Sequence, residues 1–375
     1  MKIGILTLPL HTNYGGILQA YALQKVLERM GHEVEVLDKP DQIHRPLWRN
    51  AMTCAKRFAL RAFGKNVSLN YQKEHNLRER AKRRYTKAFI QKYIRRRIID
   101  RYGNISPNDY DAIVVGSDQV WRRRYMPGND VRIAYLEFTK GWDIKRIAYA
   151  ASFGVDTWEY NPKDTEIAKK AVQKFDAVST RENSGVSLCK EYLDYNDALQ
   201  ALDPTLLLDR IDYEHIIEES DKTHKINGSL MCYVLDYSNE KRQYISECAK
   251  ALDMIPFETN SKYEVKGASL EEIVQPPVEQ WLRSFRDSSY VITDSFHACV
   301  FSILFHKPFI VIGNKSRGLA RFQSILSLFE LEDRMMIDTY DISLCNKEIN
   351  WEKVDSKLDK LRDDSKSFLE KSLKS

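Results

Sequence analysis

Short apolar segments alternate with helical segments along this chain, and that alternation constrains its fold more than any other feature. Residues 3–8 form the first apolar segment, and residues 17–30 follow a polar loop with apolar side chains at helical spacing. Residues 33–38 then alternate between polar and apolar, as a half-buried strand does. Strands that alternate with helices are typical of parallel sheets. We therefore predict an α/β fold that begins with a βαβ unit.

The same alternation occurs in two regions of the chain, which indicates two domains. Further strand candidates lie at residues 112–115, 146–152 and 177–180 in the first region and at 230–235, 289–293 and 309–312 in the second. A single core rarely extends beyond roughly 250–300 residues, so a chain of 375 residues favours the same division. We predict a first domain at residues 1–205, a polar linker at 206–228, a second domain at 229–345 and a terminal helix at 346–375.

Positive charge is concentrated in one segment. Residues 45–101 carry 18 basic and 3 acidic side chains, although the net charge of the whole chain is only +5. We predict that this basic segment is a helical insertion in the first domain. In the simplest interpretation, its apolar residues pack on the domain and its lysines and arginines face solvent. A second hypothesis is that this face, with the triplet Arg95-Arg96-Arg97 at its end, contacts anionic lipid.

The cysteines and the apolar segments indicate a compartment. The six cysteines are scattered without a Cys-x-x-Cys pair, so the sequence predicts neither a zinc site nor a disulfide network. The apolar segment near the N-terminus is too short to span a membrane, and no signal cleavage site follows it. We expect a cytoplasmic protein with no bound metal, in peripheral contact with the inner face of the plasma membrane if the lipid hypothesis holds.

A loop with two glycines, Asn13-Tyr14-Gly15-Gly16, separates the first strand from the first helix. Ligands bind at this position in open α/β sheets, and a helix N-terminus favours anions. The glycines let a sugar or a phosphate approach the backbone; alternatively, they serve only a tight turn. The loop lacks the third glycine of a dinucleotide fingerprint and the Lys-Ser/Thr pair of a Walker loop.

Polar residues also follow the strand at 112–115. Ser117, Asp118 and Gln119 are predicted to emerge at its carboxyl end, where side chains can converge on a ligand. Trp121 offers a ring on which a sugar can stack, although a tryptophan after a strand is more often part of the core. The sequence therefore predicts a second part of a binding site here.

Cations follow two other strand candidates. Arg181 follows one of them, and a guanidinium can bind a carboxylate or phosphate through two parallel hydrogen bonds. Lys315, Arg317 and Arg321 follow another. Together these four residues predict an anion site. The alternatives are a structural ion pair for Arg181 and a solvated basic loop for the other three.

The sharpest feature is the run TDSFH at residues 293–297, which joins an apolar strand to an apolar helix. We predict that His297 lies in the first turn of that helix, at the rim of a cleft between the domains. A histidine there can act as a general acid or base, because imidazole titrates near neutral pH. The alternative is a role in capping and packing.

Four runs together resemble the polysaccharide pyruvyltransferase family. They are NYGGILQAYAL at residues 13–23, VGSDQVW at 115–121, STREN at 179–183 and DSFHA at 294–298, in the order of the family. The resemblance implies two Rossmann-like domains that face each other across a cleft, similar to the B-type glycosyltransferase fold. It also implies transfer of pyruvate from phosphoenolpyruvate to a hexose of a surface-polysaccharide precursor, for a capsule or an exopolysaccharide, with a ketal as product.

That chemistry assigns roles to the candidate residues. His297 is expected to be the catalytic acid and Asp118 the base. Donor binding is assigned to Arg181, Ser295, Lys315 and Arg317, and acceptor binding to Asn13, Tyr14, Gly15, Gly16, Ser117, Gln119 and Trp121. Family members often carry Arg-Leu-His where this chain has Ser295-Phe-His, so the donor anion must depend on the other cations. No cofactor is expected beside the donor, and a lipid pyrophosphate is one carrier for the acceptor sugar.

Two other classes of protein stay open at this stage. A nucleotide-sugar-dependent glycosyltransferase has the same two-domain shape, and binding of a nucleotide sugar instead of phosphoenolpyruvate would identify it. A non-catalytic nucleic-acid binder would use the basic segment, but that segment contains no recognised nucleic-acid motif. We therefore expect no nucleic acid among the partners.

Overall fold

Two parallel sheets organise the protein in the computed structural model, which describes residues 1–39, 47–64, 71–220, 227–262, 265 and 267–374. The strands of the first sheet are β1 (Lys2–Leu6), β2 (Glu33–Asp38), β3 (Arg96–Ile98), β4 (Ala112–Val115), β5 (Lys145–Ala151), β6 (Ala177–Thr180) and β7 (Leu199–Gln200). Their order is β3-β2-β1-β4-β5-β6-β7, and all neighbours are parallel. The helices of this region are α1 (Tyr14–Arg29), α2 (Leu47–Ala62), α3 (Tyr71–Lys82), α4 (Arg84–Tyr93), α5 (Val131–Ala134), α6 (Pro162–Val172), α7 (Asn183–Leu193) and α8 (Arg210–Glu218).

The second sheet is also parallel. Its strands are β8 (Leu230–Tyr233), β9 (Pro256–Glu258), β10 (Tyr290–Thr293), β11 (Phe309–Ile312) and β12 (Met335–Met336), in the order β12-β11-β10-β8-β9. The helices are α9 (Asn239–Ala251), α10 (Val278–Asp287), α11 (Phe296–Leu304), α12 (Ala320–Phe329) and α13 (Trp351–Lys374). β10 and β11 are buried along their whole length, because helices cover both faces of a parallel sheet, and they therefore read as continuous apolar runs. The predicted α/β fold is confirmed.

Each sheet changes direction beside its first strand. β1 lies between β2 and β4, and β8 lies between β9 and β10. Loops leave the carboxyl ends of such neighbouring strands in opposite directions, which opens the crevice where α/β sheets bind ligands. The loop from β1 to α1 and the loop from β10 to α11 leave these two positions and meet, since the ring of His297 packs against Gly15.

The stretch predicted as a linker, residues 206–228, contains α8 in its described part, and residues 221–226 lie outside the described residues. Tyr213, Ile216 and Ile217 of this helix are buried. The linker interpretation of α8 is corrected, because one face of this charged helix belongs to the core.

The terminal helix α13 returns to the first domain. Nε of Arg362 donates to the carbonyl oxygen of Leu206 at 2.8 Å. The backbone N–H of Leu202 donates to Oγ of Ser365 at 3.1 Å. The prediction of a helix at 346–375 left open which domain it contacts, and it contacts both, since Nζ of Lys357 also donates to Oε1 of Glu330 in the second domain at 2.6 Å.

The basic segment forms α2, α3 and α4 and then enters the first sheet as β3; residues 45–46 and 65–70 of it lie outside the described residues. Its arginine triplet is engaged in ion pairs with the first domain: Arg95 with Glu33 at 2.6 Å, Arg96 with Asp38 at 2.6 Å and Arg97 with Asp109 at 2.7 Å. Arg96 and Arg97 are partly buried by these pairs, whereas the side chain of Arg95 is 56% exposed, and contact of the triplet with lipid stays a prediction. Within the described ranges, no helix combines the length and apolar character needed to cross a bilayer.

Candidate active site

A cleft of about 610 Å³ lies between the two domains. The first domain lines it with Asn13, the N-cap residue of α1, and with Gly15 in the first turn of that helix. The second domain contributes the loops that follow β8 and β9, together with Ser295 at the start of α11 and Arg317. Polar groups from the strand ends of both sheets thus surround one space.

His297 lies beside this cleft and is 6% exposed. Its Nε2 is 3.5 Å from Oδ2 of Asp203, an ion-pair distance. The other side of the ring packs on Gly15, where a Cβ atom would lie 1.9 Å from Nδ1. Residue 15 must therefore be glycine for the ring to occupy this position, between a buried carboxylate and the N-terminus of α1.

Asp203 is fully buried and holds several donors at once. Its Oδ1 accepts bonds from the backbone N–H and the hydroxyl of Thr205, at 3.0 and 2.7 Å. Its Oδ2 accepts a bond from Nη1 of Arg181 at 2.7 Å. Burial alone raises the pKa of Asp203, but the hydrogen bond and charge of His297, with the charge of Arg181, outweigh burial and lower it. The carboxylate therefore stays ionised beside the imidazole ring of His297.

Arg181 extends this pair into a chain of buried charges. Its Nη2 lies 3.5 Å from Oδ1 of Asp118. Its guanidinium carbon lies 4.3 Å from the ring centre of Phe296, which comes from the second domain. The guanidinium of Arg181 thus lies between the carboxylates of Asp118 and Asp203, and the ring of His297 adjoins Asp203 from the second domain.

Asp294 and Ser295 fix the start of α11. The carboxylate of Asp294 accepts bonds from the backbone N–H groups of Leu235 and Asp236, at 2.6 and 3.1 Å, and from Nζ of Lys241 at 2.7 Å. Ser295 occupies the N-cap position, but its side chain makes no capping bond. The first N–H groups of α11 are therefore available to an anion in the cleft.

The three cations that follow β11 differ in their surroundings. Arg317 lines the cleft and binds the carboxylate of Asp236 through Nε and Nη2, at 2.5 and 2.9 Å. This hydrogen bonding lowers the pKa of Asp236. Lys315 is exposed and pairs with Asp338. Arg321 is buried without a carboxylate partner in the described part of the chain, and burial, with the nearby charge of Arg181, lowers its pKa to about 10.

Two residues predicted to contact the acceptor belong to the core. Trp121 is fully buried, and its ring stacks on Tyr135 with the ring centres 4.8 Å apart. Its Nε1 donates to the carbonyl oxygen of Ala134 at 3.1 Å. Ser117 is also fully buried, and its hydroxyl donates to the carbonyl oxygen of Ala150 at 2.8 Å. These two predictions are wrong, because the chain turns inward directly after β4.

Tyr14 and Gln119 serve the domain interface. Tyr14 stacks on Trp281 with ring centres 5.2 Å apart, and its hydroxyl donates to the carbonyl oxygen of Pro276 at 2.7 Å. It is 1% exposed, so its prediction as an acceptor-binding residue is corrected. Oε1 of Gln119 accepts a bond at 2.9 Å from Nη1 of Arg122, which also donates to the carbonyl oxygen of Arg317 at 2.9 Å. Gln119 therefore helps to position the turn that carries Arg317.

Asp203 was missed from the sequence. It lies three residues after the end of β7 and precedes Pro204 and Thr205, where an aspartate side chain can cap the next turn. That signal identifies a turn. It does not reveal that the ring of His297, 94 residues further along the chain, contacts the carboxylate of Asp203. Of the other three site positions, Asn13 is the N-cap residue of α1, whereas Gly15 and Gly16, predicted to lie in a loop, belong to the first turn of that helix, where Gly16 is the neighbour of Asp118.

The facing parallel sheets, with their ligand-binding edges opposed, define a fold of the B-type glycosyltransferase class. The model of the polysaccharide pyruvyl transferase family matches residues 13–316, so the chain belongs to this family. Membership makes the protein a transferase of polysaccharide synthesis with a sugar acceptor. No curated protein sequence matches the chain.

Solved structures with the same architecture are distant in sequence. UDP-GlcNAc 2-epimerase from Methanocaldococcus jannaschii has a TM-score of 0.51 at 11% identity, covering 94% of this chain and 95% of that one. UDP-GlcNAc 2-epimerase from Neisseria meningitidis has a TM-score of 0.49 at 11% identity, covering 100% and 99%. MurG from Acinetobacter baumannii has a TM-score of 0.43 at 10% identity, covering 96% and 94%. At 11% identity, the similarity to the Methanocaldococcus jannaschii epimerase indicates a shared fold and nothing about activity.

Proposed function

We propose that the protein transfers pyruvate from phosphoenolpyruvate to a hexose of a surface-polysaccharide precursor, forms a cyclic ketal and releases phosphate. The observation that carries this proposal is the buried pair of His297 and Asp203 beside the cleft. An imidazole that is oriented by a buried carboxylate can act as a general acid, and the proposed reaction begins with protonation of a carbon atom.

The reaction balances without an oxidant or reductant. A proton adds to the methylene carbon of phosphoenolpyruvate, and a sugar hydroxyl attacks the cationic C2 and loses its proton. The C–O bond to phosphate then breaks, and a second hydroxyl attacks C2 and loses its proton to close the ketal. Of the two protons released, one replaces the proton first given to carbon and the other accompanies phosphate. Since no step changes the net oxidation state, we propose no bound redox cofactor.

The residues of the cleft suit these steps. His297 donates the proton, and Asp203 orients its ring. Asp118 is our candidate for the base that accepts a hydroxyl proton, because it belongs to the same chain of buried charges. The donor anion is assigned to Ser295, to the N-terminal turn of α11 and to Arg317, with the uncompensated charge of Arg321 behind them. Arg181, which the sequence assigned to the donor, is buried between Asp118 and Asp203, so we propose that it positions these carboxylates and does not contact the donor.

A second cavity of about 780 Å³ suits the acceptor. It lies at the carboxyl ends of β1, β2 and β3, under α3 and α4, and its lining includes His11, next to Thr12 of the cleft. Arg80 and Lys87 line it and form no ion pair within the described part of the chain. An acceptor that carries phosphate would use these cations, and we propose a sugar linked to a diphosphate.

The test is incubation with phosphoenolpyruvate and candidate glycosyl diphosphates. We expect release of inorganic phosphate and an acceptor whose mass increases by one pyruvylidene group. In a parallel thermal-shift experiment, phosphoenolpyruvate is expected to raise Tm. A rise with a nucleotide sugar alone, together with glycosyl transfer in place of phosphate release, would identify the rival glycosyltransferase activity.

Gly15→Ala is expected to reduce turnover about a hundredfold, the scale on which a misplaced catalytic group costs rate. The new Cβ atom requires the space now held by the ring of His297, with Nδ1 only 1.9 Å away. Steady-state kinetics of phosphate release measure the effect. Gly103→Ala is the control, because a Cβ there meets no atom within 4 Å. Normal turnover of Gly15→Ala would contradict the placement of His297.

A further inference from the structure

Helix α2 is inverted relative to an ordinary surface helix. Such helices turn their apolar stripe to the core and their charged side to water. In α2 the half-buried side chains after residue 51 are Thr53, Arg57 and Leu60, which recur at helical spacing. Arg57 holds the helix on α3, since its Nη1 donates to Oε2 of Glu74 at 2.7 Å. The protein-facing side of α2 is thus largely polar.

The opposite side of α2 is apolar and faces water. Met52, Phe58 and, directly after the helix, Phe63 are 65%, 67% and 85% exposed. Ala55, Ala59 and Ala62 share this side and are also exposed. Large apolar side chains that recur on one helical face are unfavourable in water unless something covers them.

The charges of α2 indicate what covers this face. Lys56 and Arg61 lie on the two flanks of the apolar face, both are exposed, and neither forms an ion pair in the described part of the chain. The helix contains no acidic residue. An apolar face with basic flanks fits the boundary between acyl chains and anionic headgroups, where rings enter the hydrocarbon and ammonium or guanidinium groups meet phosphate.

We propose that α2 docks the protein on the surface of an anionic bilayer, with Met52, Phe58 and Phe63 inserted among the lipids. Docking itself does not depend on the proposed function, but the inference about the acceptor that follows from it does. Because α2 packs on α3, and α3 lines the cavity assigned to the acceptor, docking brings that cavity to the membrane. The acceptor sugar is then carried by a lipid diphosphate.

The experiment uses the exposed thiol of Cys54, since the other cysteines are buried. A polarity-sensitive dye on Cys54 is expected to shift to the blue with vesicles of phosphatidylglycerol and phosphatidylethanolamine, and not with phosphatidylcholine alone. Flotation of unlabelled protein with the same vesicles is expected to agree and to weaken as salt rises. No shift and no flotation with the anionic vesicles would overturn the proposal.

Matched variants separate the parts of the surface. Phe58→Ser with Phe63→Ser is expected to reduce vesicle partitioning at least about tenfold. Lys56→Ser with Arg61→Ser is expected to abolish the preference for anionic lipid. Ile211→Ser, at a side chain 53% exposed on α8, is the control and should change neither. Undiminished flotation of the phenylalanine variant would overturn the proposal. So would a parent protein that binds no vesicles and self-associates through this face, with the phenylalanine variant monomeric.

Vesicle binding and catalysis are tested independently. The Phe58→Ser, Phe63→Ser variant is expected to keep full turnover on a water-soluble glycosyl diphosphate and to lose at least about tenfold in rate on the same sugar presented in vesicles. If the proposed pyruvyl transfer is wrong, the parent protein will turn over neither acceptor but will still bind the anionic vesicles.

Discussion

His297→Gln is expected to lower kcat at least about a hundredfold, the usual contribution of a positioned proton donor. Glutamine retains a polar side chain but cannot deliver a proton to carbon. The thermal unfolding temperature is expected to stay close to that of the parent, and phosphoenolpyruvate is expected still to raise it, because the donor's anionic groups bind elsewhere in the cleft. Phosphate-release kinetics over a range of phosphoenolpyruvate concentrations, up to saturation, separate kcat from KM.

The chain offers a matched control in His306. Its Nε2 also faces a carboxylate, 2.7 Å from Oδ1 of Asp355, and its ring stacks on Trp351, but it belongs to the surface between α11 and α13. His306→Gln should leave kcat unchanged. If both variants turned over normally, proton donation would have to come from another group.

Asp203→Asn is expected to lower the free energy of unfolding by about 3–5 kcal/mol, the scale for removing one partner of a buried ion pair. Asparagine keeps the shape of the side chain but leaves the buried guanidinium of Arg181 facing a neutral group at 2.7 Å. Urea unfolding at neutral pH measures the loss. Asp338→Asn is the control, because its pair with Lys315 is exposed and such pairs contribute little.

The same two proteins should differ in their dependence on pH. The pKa of Asp203 is lowered in the folded state, so its contribution to stability is present above the ordinary aspartate pKa of about 3.9. It is lost as the pH falls from there through the lowered folded value, because the carboxyl group then becomes neutral like asparagine. The stability difference between parent and variant should therefore be constant from neutral pH down to about pH 4 and shrink only below that. A difference that shrinks between pH 7 and pH 5 would show that Asp203 is not held ionised.

The order of strands and helices could be predicted from the sequence because parallel strands are buried on both faces. Segments such as 309–312 consist of apolar residues alone, and the polar residues after them mark the strand ends. The carboxyl ends of parallel strands lie at one edge of the sheet. The sequence alone therefore predicts that residues 13–16 and the run at 293–297 border a ligand crevice.

Which side chains leave that edge toward the cleft could not be predicted. Trp121 and Ser117 follow β4 just as His297 follows β10, yet the chain after β4 turns into the core. The linker interpretation of α8 failed for a similar reason, because the core that buries one face of this helix comes from distant parts of the chain. Of the arginine triplet, Arg95 faces solvent as predicted, whereas Arg96 and Arg97 are partly buried beside Asp38 and Asp109.

The sequence by itself determined the α/β class, the position of His297 in the first turn of a helix and the family, since these depend on local pattern and on short motifs. The tertiary structure decided the partner of His297, the requirement for glycine at residue 15 and the inverted orientation of α2. Each of these depends on contacts between residues far apart in the chain, such as Asp203 with His297 and Arg57 with Glu74. Such contacts are set by how the two sheets and their helices pack, and the periodicity of one segment carries no information about the neighbour it will meet.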